Sequence, residues 1–559
     1  LLKRYAALLH ASVYASVHEG GVRTTAEKSL HMVSKDTHAT LAADLGEVVG
    51  TTRVSTAAAD RLAAARDLWP RALLGVRFGN PAPEPPALVV WPETPKQVVA
   101  VVRWAMERKV GLVPYGGGSG LCGGAMPFRD QVVVDLKRLK RIEWIHAEDH
   151  LVRVQAGMLG YLFERELGRH GLTLGHFPSS IFCSTVGGWV AARSAGQLSS
   201  KYGNIEDMVA SLQVVTGNGD LWETRPHPAS GLGPDPTHLF VGCEGTLGII
   251  TAATLRVRRK PPVEKYCGYA FSRMSAGMEA MRRVMQRGLR PAVMRLYDEF
   301  DTFLVRSSVD MADLEGKGEP RGVFPAVLRR LTRAGEPFLP FLRETAFRAA
   351  VQRPRWFNRL TSGLITRATG GGCLMILGHV GDAQLVEAER DRCGRELEAA
   401  GGVALGERTG NHWHRHRHAV AFLQSEVFRA HGFVDTLETA VTWDKAFALY
   451  EAVKRAVSPQ AFVMAHIGHV YPEGCALCFT FAGQAAEATE AMERYDQTWK
   501  EGLAAVSRAG GTISHHHGVG QSRTRFMVEE HGDALALLEV FKQTLDPHGV
   551  LNPGKLKTV

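Results

Sequence analysis

Apolar and polar positions follow two periods along the chain, and the period changes at a few proline-rich points. Residues 1–80 are Ala-rich and read as helical. Pro81, Pro83, Pro85 and Pro86 then form a stiff linker, because each ring fixes φ and the residue before it avoids the helical region. Segment 87–92 is a short apolar strand ended by Pro92. Thr94, Pro95 and Gln97 open a helix as cap, first-turn proline and capping-box partner. Helical spacing continues over 98–108, and 111–115 is a second strand. Segment 131–136 reads as another strand, and 151–157 alternates like a half-buried one. Strands mixed with helices continue to about residue 258, where Pro261 and Pro262 mark a second boundary. The rest mixes helices and strands, with helical cover expected over 320–365 and helices over 487–509 and 533–544.

These boundaries divide the chain into an N-terminal helical segment (1–80), a second unit (81–260) and a third (261–559). The composition, 45% hydrophobic and 22% charged over 559 residues, suits a globular protein with a large core. The net charge of +9 favours anionic small molecules, but no Lys/Arg run is dense enough to argue for nucleic acid. Eight cysteines are mostly scattered. Cys475 and Cys478 would point to opposite faces of a strand, which suits neither a zinc knuckle nor a redox turn. Buried thiols in a reducing compartment are the expectation. No apolar run is long enough to span a bilayer, no signal peptide is evident and the end at Val559 is not a peroxisomal address, so a cytoplasmic location is expected.

Chemistry enters with the glycines. Pro114, Tyr115, Gly116, Gly117, Gly118, Ser119 and Gly120 follow a strand, and the glycine run continues to Gly124. Removing every Cβ lets backbone N–H groups converge on an anion such as a pyrophosphate. The spacing is neither a P-loop nor Gly-x-Gly-x-x-Gly. Alone it suits a flexible surface loop equally well. Three further segments accompany it: Pro178, Ser179, Ser180, Ile181, Phe182, Cys183 and Ser184; Ala192, Arg193, Ser194 and Ala195; and Glu244, Gly245, Thr246, Leu247, Gly248, Ile249 and Ile250.

In this order, and with the Pro553-Gly554-Lys555 tail, these segments resemble the FAD-binding module of the vanillyl-alcohol-oxidase superfamily. The resemblance implies an α+β fold: a two-subdomain PCMH-type FAD-binding domain followed by an α+β FAD-linked-oxidase C-terminal cap domain. It implies FAD bound without a covalent link. Residues 114–120 would hold the pyrophosphate, 178–184 and 192–195 would line the ring and ribityl part, and 244–250 would run beside the adenine half.

Segments 202–207, 435–444 and 513–520 are similar in particular to the alkyldihydroxyacetonephosphate synthase branch. That branch exchanges the acyl chain of acyl-dihydroxyacetone phosphate for a fatty alcohol. Tyr471 matches its catalytic tyrosine, which implies a general acid/base, with His515, His516 and His517 supporting it or orienting the substrate. On physical grounds imidazole can both donate and accept a proton near neutral pH. In an extended chain His515 and His517 share one side and His516 faces the other. A phenol needs nearby cations to ionise in part. The histidines lack helical i, i+4 spacing and no carboxylate is close in sequence, so no metal site is expected.

Two positions depart from the branch: Gln424 and His466 stand in the substrate-binding segments where arginine is common. Arg408, His412, His414, Arg415, His416, Arg417 and His418 could hold a phosphate instead, or form a solvated basic loop. Gln521 stands where a lysine often follows Gly-Val-Gly. The competing reading is a flavin dehydrogenase or oxidase of a 2-hydroxy acid or alcohol. That group usually carries His-x-Gly-Asp-Gly-Asn, and the nearest string here, 466–471, lacks the acid. A small-molecule lipid substrate is the expected partner. Peripheral membrane contact and a homodimer are compatible with the sequence, and no residue pattern decides either.

Overall fold

Short Val- and Leu-rich strands, buried along their length, build the first of three main sheets. The computed structural model describes residues 35–77, 84–231, 233–302, 354, 358, 372–418 and 432–556. Strands β1 (Val54–Ser55), β2 (Leu88–Val90), β3 (Leu112–Tyr115) and β4 (Val132–Asp135) lie in the order β1-β2-β4-β3. β2, β4 and β3 run parallel, and β1 is antiparallel to β2. Both faces of such a sheet are covered, which explains unbroken apolar runs such as 132–134. The helix Pro95–Arg108 packs Val98, Val101, Val102 and Trp104 against it. Thr94 caps this helix through the Gln97 N–H, and the Gln97 amide oxygen accepts from the Glu93 N–H rather than from Thr94. Both ends of the described chain enter this sheet. Leu45 and Val49 of the helix Lys35–Val49 join its core, and Leu551 bridges Leu112 in parallel.

β5 (Ile142–His146), β6 (Leu151–Gln155), β7 (Leu172–Thr173), β8 (Val209–Thr216), β9 (Leu221–Glu223), β10 (Gly248–Arg256) and β11 (Arg258–Arg259) follow. Five of them form an antiparallel sheet in the order β5-β6-β10-β8-β9, and β7 pairs with β11. Trp189, Phe163 and Phe240 fill the core of this subdomain.

The third sheet contains β12 (Val263–Phe271), β13 (Val293–Tyr297), β14 (Cys373–Gly381), β15 (Val403–Gly406), β16 (Gly432–Thr442), β17 (Phe462–Val470) and β18 (Gly474–Gln484). Its order is β15-β12-β14-β13-β17-β18-β16, antiparallel throughout. Leu296, Leu377, Leu437, Ile467 and Phe479 share one core with Met281, Leu397, Leu449 and Trp499 from the covering helices. The opposite face carries the polar residues. Tyr297, His466, Cys478 and Glu438 stand in register across four strands. An irregularity in β17 between Ile467 and His469 aligns His469 with Ala476, two residues from the Cys478 that faces His466. Residues three apart in a regular strand face opposite sides; the extra residue, Gly468, places His466 and His469 on the same side.

All eight cysteines are free thiols, with Cys475 and Cys478 both buried in β18. Among the described residues no helix is long and apolar enough to cross a membrane. The helical cover expected over 320–365 lies outside the described residues, apart from 354 and 358.

One buried ion pair ties the helix Trp443–Val457 to the end of β13. The Asp298 carboxylate accepts from Lys454 Nζ at 2.8 Å, the Ala465 N–H at 2.9 Å and the Asp301 N–H at 3.0 Å. Removing one partner of a buried pair strands the other charge. Asp298→Ala is therefore expected to cost about 3–5 kcal/mol, read as a lower urea midpoint at unchanged slope.

Candidate functional site

Where β3 ends at Tyr115, the chain turns through glycines that nothing larger could replace. A Cβ on Gly117 would lie 1.8 Å from the Cys183 carbonyl oxygen, and one on Gly116 would lie 2.3 Å from Thr185 Oγ1. Gly118 has φ 61°, and its Cβ would meet Tyr115 Oη at 1.9 Å. Gly245 abuts Pro114 in the same way, at 2.8 Å from the ring. The Glu244 N–H donates to the Ala191 carbonyl at 2.9 Å, joining the last two predicted segments. Residues 114–120, 178–184, 192–195 and 244–250 thus converge on one place from well-separated parts of the chain. Backbone stripped of Cβ atoms at such a convergence fits an anion such as a diphosphate.

Not every predicted residue points into this cradle. Ile181, Leu247, Ile249 and Ile250 send their side chains into the cores. The Ser184 hydroxyl accepts from Trp189 Nε1 at 2.7 Å, and the Ser194 hydroxyl lies 2.8 Å from His176 Nε2. These residues shape the cradle from behind. Phe182 and Arg193 are exposed.

The histidine loop crosses the seam between the cradle and the third sheet. Two buried carboxylates hold its backbone. Glu438 of β16 accepts the N–H groups of His516 and His517 at 3.2 and 2.7 Å, and Arg523 Nη1 at 2.7 Å. Burial alone would raise this carboxyl, but Arg523 and His517 bring it down to about 2. From the other side, Glu244 accepts the N–H groups of Val519 and Gly520. Burial pushes Glu244 up to about 7 against those same bonds. Gln521 donates to the Gly123 carbonyl at 3.2 Å.

This anchoring bends the loop. An extended trio would place His515 and His517 together; instead His515 and His516 both approach His469, with ring centroids at 5.2 and 4.9 Å. His517 turns toward Glu438, 3.7 Å away. Tyr471, just past β17, has its hydroxyl 2.7 Å from His515 Nε2 and accepts from Asn204 Nδ2 at 2.9 Å. His515 Nδ1 lies 2.8 Å from His516 Nδ1, and His469 Nδ1 lies 2.6 Å from the Ser199 hydroxyl.

The condition for partial ionisation of the phenol, a nearby cation, is not met among the groups that shift Tyr471. Burial raises Tyr471 to about 12 and lowers His515 to about 4. It also pushes His469 and His516 well below the ordinary imidazole range. Burial thus disfavours the charged form of His469, His515 and His516. Ring nitrogens of His469, His515 and His516 lie within 4.8 Å of one another, close enough to approach a common ion. Several of them are taken up by the hydrogen bonds just described, and the Glu438 carboxylate, absent from the local sequence, lies beside His517.

His466 sits between Arg295 Nη2 at 2.8 Å and Asp301 Oδ2 at 3.2 Å. A guanidinium only donates, so His466 Nε2 accepts and its Nδ1–H faces Asp301. Arg295 Nε is buried without a partner. Gln424 lies outside the described residues. The basic cluster is helical rather than a loop, and Arg408, Arg415 and His416 on it are exposed. Residues Glu407–His416 form a helix whose His412 and Trp413 are buried. His414 stacks on Tyr266 at 4.2 Å, and His418 reaches Phe182 at 5.5 Å, so one end of the cluster touches the cradle. Arg295, Glu438, Arg523, Asn204, Ser199 and His469 were not singled out from sequence. Asn204 and Glu438 lay inside quoted motifs, but nothing local indicates their partners, 267 and 85 residues away.

Gly117→Ala is expected to abolish FAD retention, measured as loss of flavin absorbance in the purified, folded protein. Glu438→Gln should change the acid limb of stability. A carboxyl depressed to about 2 contributes stability that is present above its unfolded value of about 4.3. That contribution is lost as pH falls through about 2, so the variant should show a shallower loss over this window in thermal melts.

Comparison with known proteins agrees with this geometry. A model of the FAD binding domain matches residues 86–225, and one of the FAD linked oxidases, C-terminal domain, matches residues 260–556. Alkyldihydroxyacetonephosphate synthase of Trypanosoma brucei brucei is 29% identical over 505 residues, covering 88% of this chain and 75% of the relative. The mitochondrial D-lactate dehydrogenase [cytochrome] of Arabidopsis thaliana is 26% identical, covering 84% and 73%. A solved alkyldihydroxyacetonephosphate synthase superposes with a TM-score of 0.71 at 25% identity, covering 92% of this chain and 85% of its own. p-Cresol methylhydroxylase shares the fold, with a TM-score of 0.69 at 15% identity over 94% and 98%. With a glycine cradle that admits no side chain and a polar sheet face closing over it, the chain belongs to the FAD linked oxidases and carries their FAD-binding domain.

Proposed function

We propose that the protein exchanges the acyl chain of acyl-dihydroxyacetone phosphate for a fatty alcohol, as an alkyldihydroxyacetonephosphate synthase-like transferase. The observation that carries this reading is the contact between Tyr471 and His515 at the seam above the FAD cradle, 2.7 Å long and backed by two further imidazoles. Such a group can take a proton from carbon beside a ketone and return it later. FAD, held without a covalent link by 114–120, 178–184, 192–195 and 244–250, supplies the electron sink for that carbon. The acyl chain departs as a carboxylate and the alcohol takes its place.

The substrate phosphate needs a cation inside the seam. Arg295 supports that role, because its Nε is buried without a partner while its Nη2 donates to His466, which Asp301 holds in turn. The eight free thiols suit a reducing compartment, and the cytoplasm is the location proposed.

In the test, FAD-loaded protein is offered acyl-dihydroxyacetone phosphate with and without a fatty alcohol. Fatty acid release that depends on the alcohol is expected. Tyr471→Phe should keep its flavin and lose about 100-fold or more in kcat. Rapid anaerobic bleaching of the flavin by a 2-hydroxy acid would instead favour a dehydrogenase and overturn the transferase.

A further inference from the structure

The hydrogen bonds around Tyr471 have a direction, and one residue outside the reacting groups sets it. Asn204 Nδ2 is 2.9 Å from the Tyr471 hydroxyl and 3.5 Å from Glu206 Oε1. Burial raises the Glu206 carboxyl while the Arg193 guanidinium beside it favours the charged form, which only accepts; the amide nitrogen, not its oxygen, then faces this corner. Arg193, 3.6 Å from Glu206, holds that carboxylate in place. Tyr471 therefore accepts from Asn204, and its single proton needs another acceptor. Among the described residues the only other group hydrogen-bonded to the hydroxyl is His515 Nε2, at 2.7 Å.

The rest follows from valence. If His515 Nε2 accepts, a neutral ring carries its proton on Nδ1. That proton points at His516 Nδ1, 2.8 Å away, so His516 carries its own on Nε2. Only one other arrangement of neutral rings satisfies both contacts, with every proton reversed, and it leaves the phenol proton without a partner.

The geometry points to a proton relay, Tyr471 to His515 to His516, whose resting direction is set by Asn204 as a positioning residue. Tyr471 Oη is the receiving end, and His516 Nε2–H is the delivering end. When a C–H bond of the substrate breaks, its proton goes to Tyr471 Oη and the electron pair stays on the substrate. The phenol proton passes to His515 Nε2, the His515 Nδ1 proton to His516 Nδ1, and the His516 Nε2 proton to the departing carboxylate. One proton enters and one leaves, and no residue in the chain gains or loses charge. The reverse transfer in the second half of the exchange resets it. Tyr471 acts as a base in this way without becoming a phenolate, which agrees with the burial that raises it. The relay rests on the proposed transferase reading for its use, but its direction rests on the contacts of Tyr471, His515 and His516 and on uncharged rings.

The test is a long-range proton–nitrogen correlation spectrum of the FAD-loaded protein labelled with nitrogen-15 in histidine. The His515 signals are identified by their disappearance in His515→Gln. The expected result is a protonated Nδ1 and a bare Nε2 on His515. A His515 protonated on Nε2 overturns the relay while leaving the transferase reading intact, because the spectrum needs no turnover. A stoichiometric divalent metal ion retained on these imidazoles by the purified protein also overturns it, since the nitrogens would then be ligands. Asn204→Leu removes the donor and should lower kcat about 30- to 100-fold with KM within about threefold and flavin retained. An unchanged kcat overturns the role of Asn204, and the wild-type spectrum decides the direction even where that variant fails to fold.

Discussion

Two buried carboxylates hold the histidine loop from opposite sides, and the geometry of the whole site descends from them. The loop from Ser514 to Val519 has no regular structure and Gly520 only opens a helix, so their N–H groups have no helix or sheet to satisfy them. Glu438 from the third sheet takes two, and Glu244 from the cradle takes two more. Burying a carboxylate is costly, and each is compensated differently. Glu438 has the Arg523 guanidinium against it and stays ionised; Glu244 has mainly N–H groups and is pushed toward neutrality. The loop is thereby fastened to both halves of the protein, and His515 is set at the phenol of Tyr471.

Burial has a second consequence. The same desolvation that makes the carboxylates hard to hold makes imidazolium unfavourable, so His469, His515 and His516 remain neutral. A neutral imidazole still carries one donor and one acceptor, and a string of them carries direction without carrying charge. This suits a site proposed to accommodate an anionic substrate beside a flavin, with the half-buried Arg295 bonded to His466.

The third sheet supplies the platform. Its helix-covered face is a continuous apolar core, and its other face carries Tyr297, His466, His469 and Glu438. The bulge at Gly468 brings the two histidines of β17 to one side. Without it, one of them would be directed into Leu, Met and Phe side chains, where an imidazole has no partner.

The sequence alone marked the glycine run after the strand at 112–115, and resemblance supplied the order of the segments expected to cradle FAD; the atoms that make Gly116 and Gly117 irreplaceable, the Thr185 hydroxyl and the Cys183 carbonyl, are brought there only by the fold. The sequence also carried the strands at 88–90, 112–115 and 132–135, whose apolar runs are set by burial on both faces, and the cap of the helix at 95–108. It pointed to Tyr471 and the histidine trio through resemblance. What it could not carry was which atoms meet. Regular alternation predicted the wrong pairing within 515–517, because the bend there is imposed by Glu438 and Glu244 from strands far along the chain. Asn204, Arg295 and Ser199 stayed hidden because hydrogen bonds spanning 171 to 270 residues leave no periodic or spacing signal behind them. Local chemistry is written in neighbouring residues; the direction of a proton and the charge of an imidazole are fixed only when the folded chain decides what each side chain faces.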